Sequence, residues 1–191
     1  MRWGGGNHFC GTTSLDGNSL IGMVRDVLKE FARHGARKIA VIDGHYENGF
    51  FLTGACDLAV RDMRYDGITD MKILKMRYCE EITDEAINTT YPNGYPGLSL
   101  EHGAVFETSM MLHCFPHLVD VSKLSHDPPA DFPLYELYPA NPDWVPPSGF
   151  LSPAHGSTAL TGKMLVVQFT RLVSPAFEAQ SRLAACIRRT C

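Results

Sequence analysis

The sequence has no CxxC pair, no basic run, no GxSxG elbow and no Lys-Ser/Thr in P-loop spacing after its glycine-rich start. Each absence removes a class of function. The six cysteines (Cys10, Cys56, Cys79, Cys114, Cys186, Cys191) are scattered. A chain of 191 residues can bury a core without disulfide staples. They are therefore expected to be mostly reduced core thiols of a cytoplasmic protein. A formal net charge of -4 with no arginine-rich stripe argues against a nucleic-acid partner. Without GxSxG, and with no cysteine in a nucleophile context, Ser- or Cys-based covalent catalysis has no support. The opening Met1-Arg2-Trp3-Gly4-Gly5-Gly6 holds no apolar h-region, so no secretory signal is expected. No apolar run approaches the length of a membrane span. There is no internal repeat and no low-complexity tract.

What is present is ordinary globular composition, with 45% hydrophobic and 20% charged residues, enough for one domain over residues 1–191. Leu20, Val24, Val27, Leu28 and Phe31 recur at helical spacing, with Asp16 or Asn18 to cap the start and Gly35 to stop it. The unbroken apolar run Ile39-Ala40-Val41-Ile42 predicts a parallel strand buried on both faces. A second helix is marked by Phe50 through Met63, ending at Gly67, and a second strand by Met71 to Met76. This alternation predicts an α/β fold with a mostly parallel sheet flanked by helices. A short helix near Thr83 to Asn88 and another carrying Val105, Phe106, Ser109, Met110 and His113 follow. Residues 128–153 hold eight of the 12 prolines and predict an extended loop or arm. The final helix, around Leu165 to Val173, is expected to break near Pro175.

Three stretches can carry chemistry. Asp43-Gly44-His45-Tyr46-Glu47-Asn48 lies where a strand ends and a helix begins, the usual ligand-binding end of an open α/β sheet. On an extended turn, His45 and Glu47 point the same way, and an imidazole beside a carboxylate suits zinc or manganese. The competing reading is that Asp43 and Glu47 cap the helix and His45 is merely exposed. In the second stretch, Glu101-His102-Gly103-Ala104-Val105-Phe106-Glu107, acids near a helix start can simply favour the dipole. Glu107 differs because Val105, Phe106 and Met110 surround it, and a carboxylate is costly to bury without a partner. The third stretch, Gly4 to Ser14, is a weak signal that could equally be a flexible start. His34 reads as a helix C-terminal residue, and His113, His117, His126 and His155 lack ligand spacing.

Taken in order, GGGNHFCGTTSLDG, IDGHYENG and EHGAVFETSMML resemble the creatininase family, and the likeness runs over essentially the whole chain. The tyrosine inside GHYENG is nearest to the creatinine-acting members. The resemblance implies a creatininase-like α/β sandwich and a metal-dependent amidohydrolase interconverting creatinine and creatine, with two divalent zinc or manganese ions per subunit. It implies His45 and Glu107 as metal ligands, with Glu47 beside the metals, handling a catalytic water and able to ligate. It implies that His102 contacts substrate and stabilises ring opening. Tyr46, Trp3, Leu98 and Ser99 would line the substrate.

The same resemblance sets expectations that differ from the family pattern. The chain is expected to lack the N-terminal segment that carries a Glu-x-His motif and a metal-bridging Asp. Cys79 and Leu98 stand where the family has tryptophans over the substrate, Ser99 replaces an acid, and Cys10 replaces a proline. The expected partners are a small-molecule amide and further copies in a homo-oligomer, a hexamer, with no nucleic acid and no membrane. The alternatives are a truncated, inactive member acting as a subunit-interaction protein, or a hydrolase of another small amide.

Overall fold

In a computed structural model, which describes residues 9–78 and 82–187, the chain divides into two compact units. One covers Gly11–Glu80 and the other Met1–Cys10 with Glu81–Cys191.

The first unit runs α1 (Gly17–Arg33), β1 (Lys38–Asp43), α2 (Gly49–Tyr65) and β2 (Lys72–Arg77). Asp16 caps α1 by accepting from Ser19 N at 3.0 Å, which leaves fewer orphan donors at the helix start. Gly35, at φ +96°, ends the helix in a conformation that costs glycine least. The strands β1 and β2 pair in parallel, Lys38 opposite Lys72 through Asp43 opposite Arg77. Parallel neighbours need a long crossover, and α2 supplies it. Leu28 and Ala32 of α1, Ala59 and Met63 of α2, and Met71 form the core, with Ile39, Val41 and Ile73 packed on it.

The expectation that β1 is buried on both faces is not met. Ile39 and Val41 turn toward α1 and α2, while Ala40 and Ile42 point the other way and are exposed, Ile42 at 57%. The physical reason is period two: successive side chains alternate faces, and the core of this unit lies on one of them. The architecture is nonetheless α/β, with helices against a small parallel sheet.

The second unit holds α3 (Asp84–Thr90), α4 (Val105–Cys114) and α5 (Ala159–Ile187). Thr83 caps α3 through Ala86 N. Phe106 of α4, Ala86 of α3 and Leu165 of α5 share one cluster. The proline-rich stretch forms short turns, and its Ala130, Val145 and Leu151 pack with Phe9, Leu100 and Phe132. One break expected from the sequence does not occur: α5 continues through Pro175. Proline removes one helical donor. Here hydroxyls back-bond along the same stretch, Thr170 Oγ1 to Val166 O and Ser174 Oγ to Thr170 O.

Cys10, Cys56 and Cys114 are free, and Cys10 and Cys114 are exposed rather than core. Among the described residues no helix is long and apolar enough to cross a membrane.

Candidate active site

The first group of candidates stands at the carboxyl end of β1. The strand delivers Asp43 into a buried position, and Gly44 follows. His45 is extended (φ −148°, ψ 127°), and Tyr46–Asn48 form a single 3-10 turn leading into α2. The extended geometry therefore reaches His45 but stops short of Glu47, which lies on the 3-10 turn. Glu47 is buried and Tyr46 is exposed. Asp43 does not cap α2. Its Oδ1 instead accepts from His45 N at 3.0 Å and Asn48 Nδ2 at 3.4 Å, folding the loop back on itself. Arg77, opposite Asp43 in the ladder, lies with its guanidinium 4.6 Å from the Tyr46 ring centroid.

The second group sits at the start of α4. Glu101, 8% exposed, accepts from Phe106 N through Oε1 and from the Tyr91 hydroxyl through Oε2. Glu107 Oε2 accepts from Gly103 N. The two acids thus satisfy main-chain donors at the helix entrance, one from each side of it. Burial pushes the Glu101 carboxyl up to about 7, against the opposing pull of the Tyr91 and Phe106 hydrogen bonds. Burial, and then the Glu101 charge, pushes the Tyr91 hydroxyl up as well. Tyr91, Tyr95 and Phe106 pack ring against ring at 5.2–5.6 Å, which gives Glu101 its apolar surroundings.

His102 is half-buried, and its carbonyl accepts from Leu151 N at 3.1 Å. Gly103, at φ +65°, lies against the Phe150 ring, where a side chain would collide. Leu98 and Ser99 lie on the 3-10 turn Leu98–Leu100 just upstream, Leu98 half-buried and Ser99 exposed. Trp3 and Cys79 fall outside the described residues.

Of the expected site residues, then, His45, Tyr46 and Glu47 share one turn of the first unit. Leu98, Ser99, His102 and Glu107 belong to one segment of the second. Sequence reasoning missed Arg77, Tyr91 and the burial of Glu101. An acid just before a helix signals a dipole or cap contact, and nothing local to Glu101 announces the tyrosine ten positions away. His113, His117, His126 and His155, which lack ligand spacing in the sequence, are exposed, the last two stacked at 4.4 Å.

Each unit carries donors of the kind zinc or manganese takes: the borderline imidazole of His45 and the carboxylate of Glu47 in the first, the hard carboxylate of Glu107 in the second. Among the described residues no group of three or more His, Cys, Asp or Glu is gathered as a metal shell.

Residues 2–176 match the family model for creatinine amidohydrolase. A creatinine amidohydrolase of Pseudomonas putida is 46% identical over 167 residues, 87% of this chain and 64% of that protein. Among solved structures, creatinine amidohydrolase (creatininase) superposes with a TM-score of 0.89 at 42% identity, over 94% of this chain and 70% of that one. A creatininase mutant complexed with creatine is similar at 41% identity and TM-score 0.89, over 94% and 71%. A manganese form of creatininase matches at 42% and 0.89, over 94% and 70%. The chain spans 64% of the length of the Pseudomonas relative. With its three ordered motifs, its parallel α/β unit and a family match over residues 2–176, the chain belongs to the creatinine amidohydrolase (creatininase) family.

Proposed function

We propose that this chain serves the metal-dependent hydrolysis of a cyclic amide, interconverting creatinine and creatine. The observation that carries the reading is the turn His45-Tyr46-Glu47 at the carboxyl end of a parallel strand, in a chain 46% identical to a creatinine amidohydrolase. His45 and Glu107 are the metal ligands. When bound, two divalent zinc or manganese ions supply a Lewis acid for the ring carbonyl and a lowered pKa for water. Glu47, buried in the turn, takes a proton from the attacking water and passes it to the departing ring nitrogen. The water oxygen joins the carbonyl carbon as the ring C–N bond breaks, giving the open carboxylate. His102 donates to the charge that develops on the carbonyl oxygen. The exposed Tyr46 ring, Trp3, Leu98 and Ser99 contact the substrate.

The test is creatine formation by the purified chain with zinc or manganese added. Glu47→Gln and His102→Asn should each lower kcat by about 100-fold or more with bound metal unchanged. His45→Ala should lose metal and activity together. No turnover by the metal-loaded wild type would overturn the reading.

One observation favours a second reading: no group of three metal-type donors is gathered among the described residues. A non-catalytic family member acting in subunit assembly would self-associate, with no turnover and no creatine binding. Self-association into a homo-oligomer, a hexamer, belongs to both readings, and sedimentation velocity measures it. A cytoplasmic setting accords with the exposed free thiols of Cys10 and Cys114, which a reducing compartment preserves. A related small amide as the true substrate would show as turnover of that amide in preference to creatinine.

A further inference from the structure

Arg77 belongs to none of the three motifs, yet the fold brings it to the turn that carries His45, Tyr46 and Glu47. The parallel register sets it beside Asp43, each the last residue of its strand. Asp43 is 2% exposed, and its two oxygens have separate roles. Oδ1 holds the turn through His45 N and Asn48 Nδ2. Oδ2 accepts no hydrogen bond among the described residues and faces Arg77 Nε at 3.8 Å. The guanidinium also stacks under the Tyr46 ring, within cation–π range. It occupies the space beside Gly49, where a Cβ would overlap Nη2. Its side chain is 17% exposed and that of Asp43 is 0%, so the approach of these two is held away from water. A buried carboxylate that loses the cation it faces is strongly destabilised and rearranges.

We propose that Arg77 is the positioning residue of this turn. It compensates the buried Asp43 carboxylate so that Asp43 pins the His45 main chain, and it holds the Tyr46 ring by its face. One cation thereby sets the direction of a metal ligand and of a substrate contact at once. The consequence for metal rests on the reading of His45 given above, whereas the geometry does not.

The test compares Arg77→Met, Arg77→Lys and the double variant Asp43→Asn, Arg77→Met by amide hydrogen exchange and zinc titration. In Arg77→Met, exchange at the His45 amide should rise about tenfold more than at Leu28 in α1, the equivalent of one lost hydrogen bond. Adding Asp43→Asn should recover part of that protection, because the uncompensated charge is gone. Zinc affinity should fall about tenfold in Arg77→Met and recover in the double variant. Arg77→Lys keeps charge but not the planar fork. It should keep His45 protected while the Tyr46 ring resonances shift.

Equal rises at His45 and Leu28 would reduce Arg77 to a general fold stabiliser and overturn the proposal. A local rise at His45, with zinc bound equally by wild type and His45→Ala, would support the positioning role and overturn the metal-ligand reading instead. Should Arg77→Met not fold, Arg77→Lys decides: shifted Tyr46 resonances with His45 still protected support the proposal, and unmoved ones overturn it.

Discussion

Glu101 and Glu107 both stand at the entrance of α4, but burial separates them: Glu101 is closed in by Tyr91 and Phe106, while Glu107 is half-buried. For Glu101 the sign of the pH effect follows from its folded pKa of about 7, raised from the ordinary 4.5. The neutral form is favoured in the fold. Its contribution is complete below about pH 4.5 and is lost as pH rises through about 7. At about 1.4 kcal/mol for each pKa unit, the loss is on the order of 3 kcal/mol. Wild-type stability should therefore fall between pH 5 and 8 relative to Glu101→Gln, whose amide does not titrate. Parallel stability curves for the two proteins in urea titrations would show that Glu101 does not carry this dependence. A second residue-scale prediction concerns Leu98 and Cys79, which the family resemblance sets in the place of tryptophans over the substrate. Aromatic faces hold a planar, partly cationic ring at about 0.5–2 kcal/mol each. Creatinine should bind the double variant Cys79→Trp, Leu98→Trp about tenfold or more tightly than wild type by calorimetry. Equal binding would mean that another surface grips the ring.

Among the elements, α4 and α5 come into close contact at Gly162, where a Cβ would overlap the Ser109 carbonyl oxygen. Ser109 is fully buried, and its hydroxyl accepts from Thr158 N at the entrance of α5. Gly162→Ala must push two helices apart and should cost about 1–3 kcal/mol. In α1, by contrast, a Cβ at Gly22 meets nothing within 4 Å. Gly22→Ala should stabilise by about 0.5–1 kcal/mol, through helix propensity and a less free unfolded chain. Thermal melts of the two variants check both signs. A Gly162→Ala Tm at or above wild type would contradict the close approach.

At the scale of the whole molecule, the metal site decides how the protein is handled. Zinc sites normally keep three or four protein ligands, whereas the proposed reading assigns only His45 and Glu107, with Glu47 able to join them, to two ions. Metal should therefore leave on dialysis, and creatinine turnover without added metal should stay near background. Stoichiometric zinc or manganese surviving dialysis, with creatine formed from it, would show a more complete shell than these residues provide.

The amino-acid order alone determined much of this. Helical spacing in residues 20–31, the Asp16 cap and the Gly35 stop specify α1, because period and capping are local physics. The three ordered motifs carry the family, because their residues lie close together in the chain. Only the tertiary structure decided which face of β1 is covered, that Glu101 rather than Glu107 is the buried acid, and that Arg77 underlies Tyr46. It also carried α5 through Pro175. Burial and electrostatics depend on neighbours brought in from far along the chain: Arg77 is 34 positions from Asp43, yet directly opposite it across the ladder.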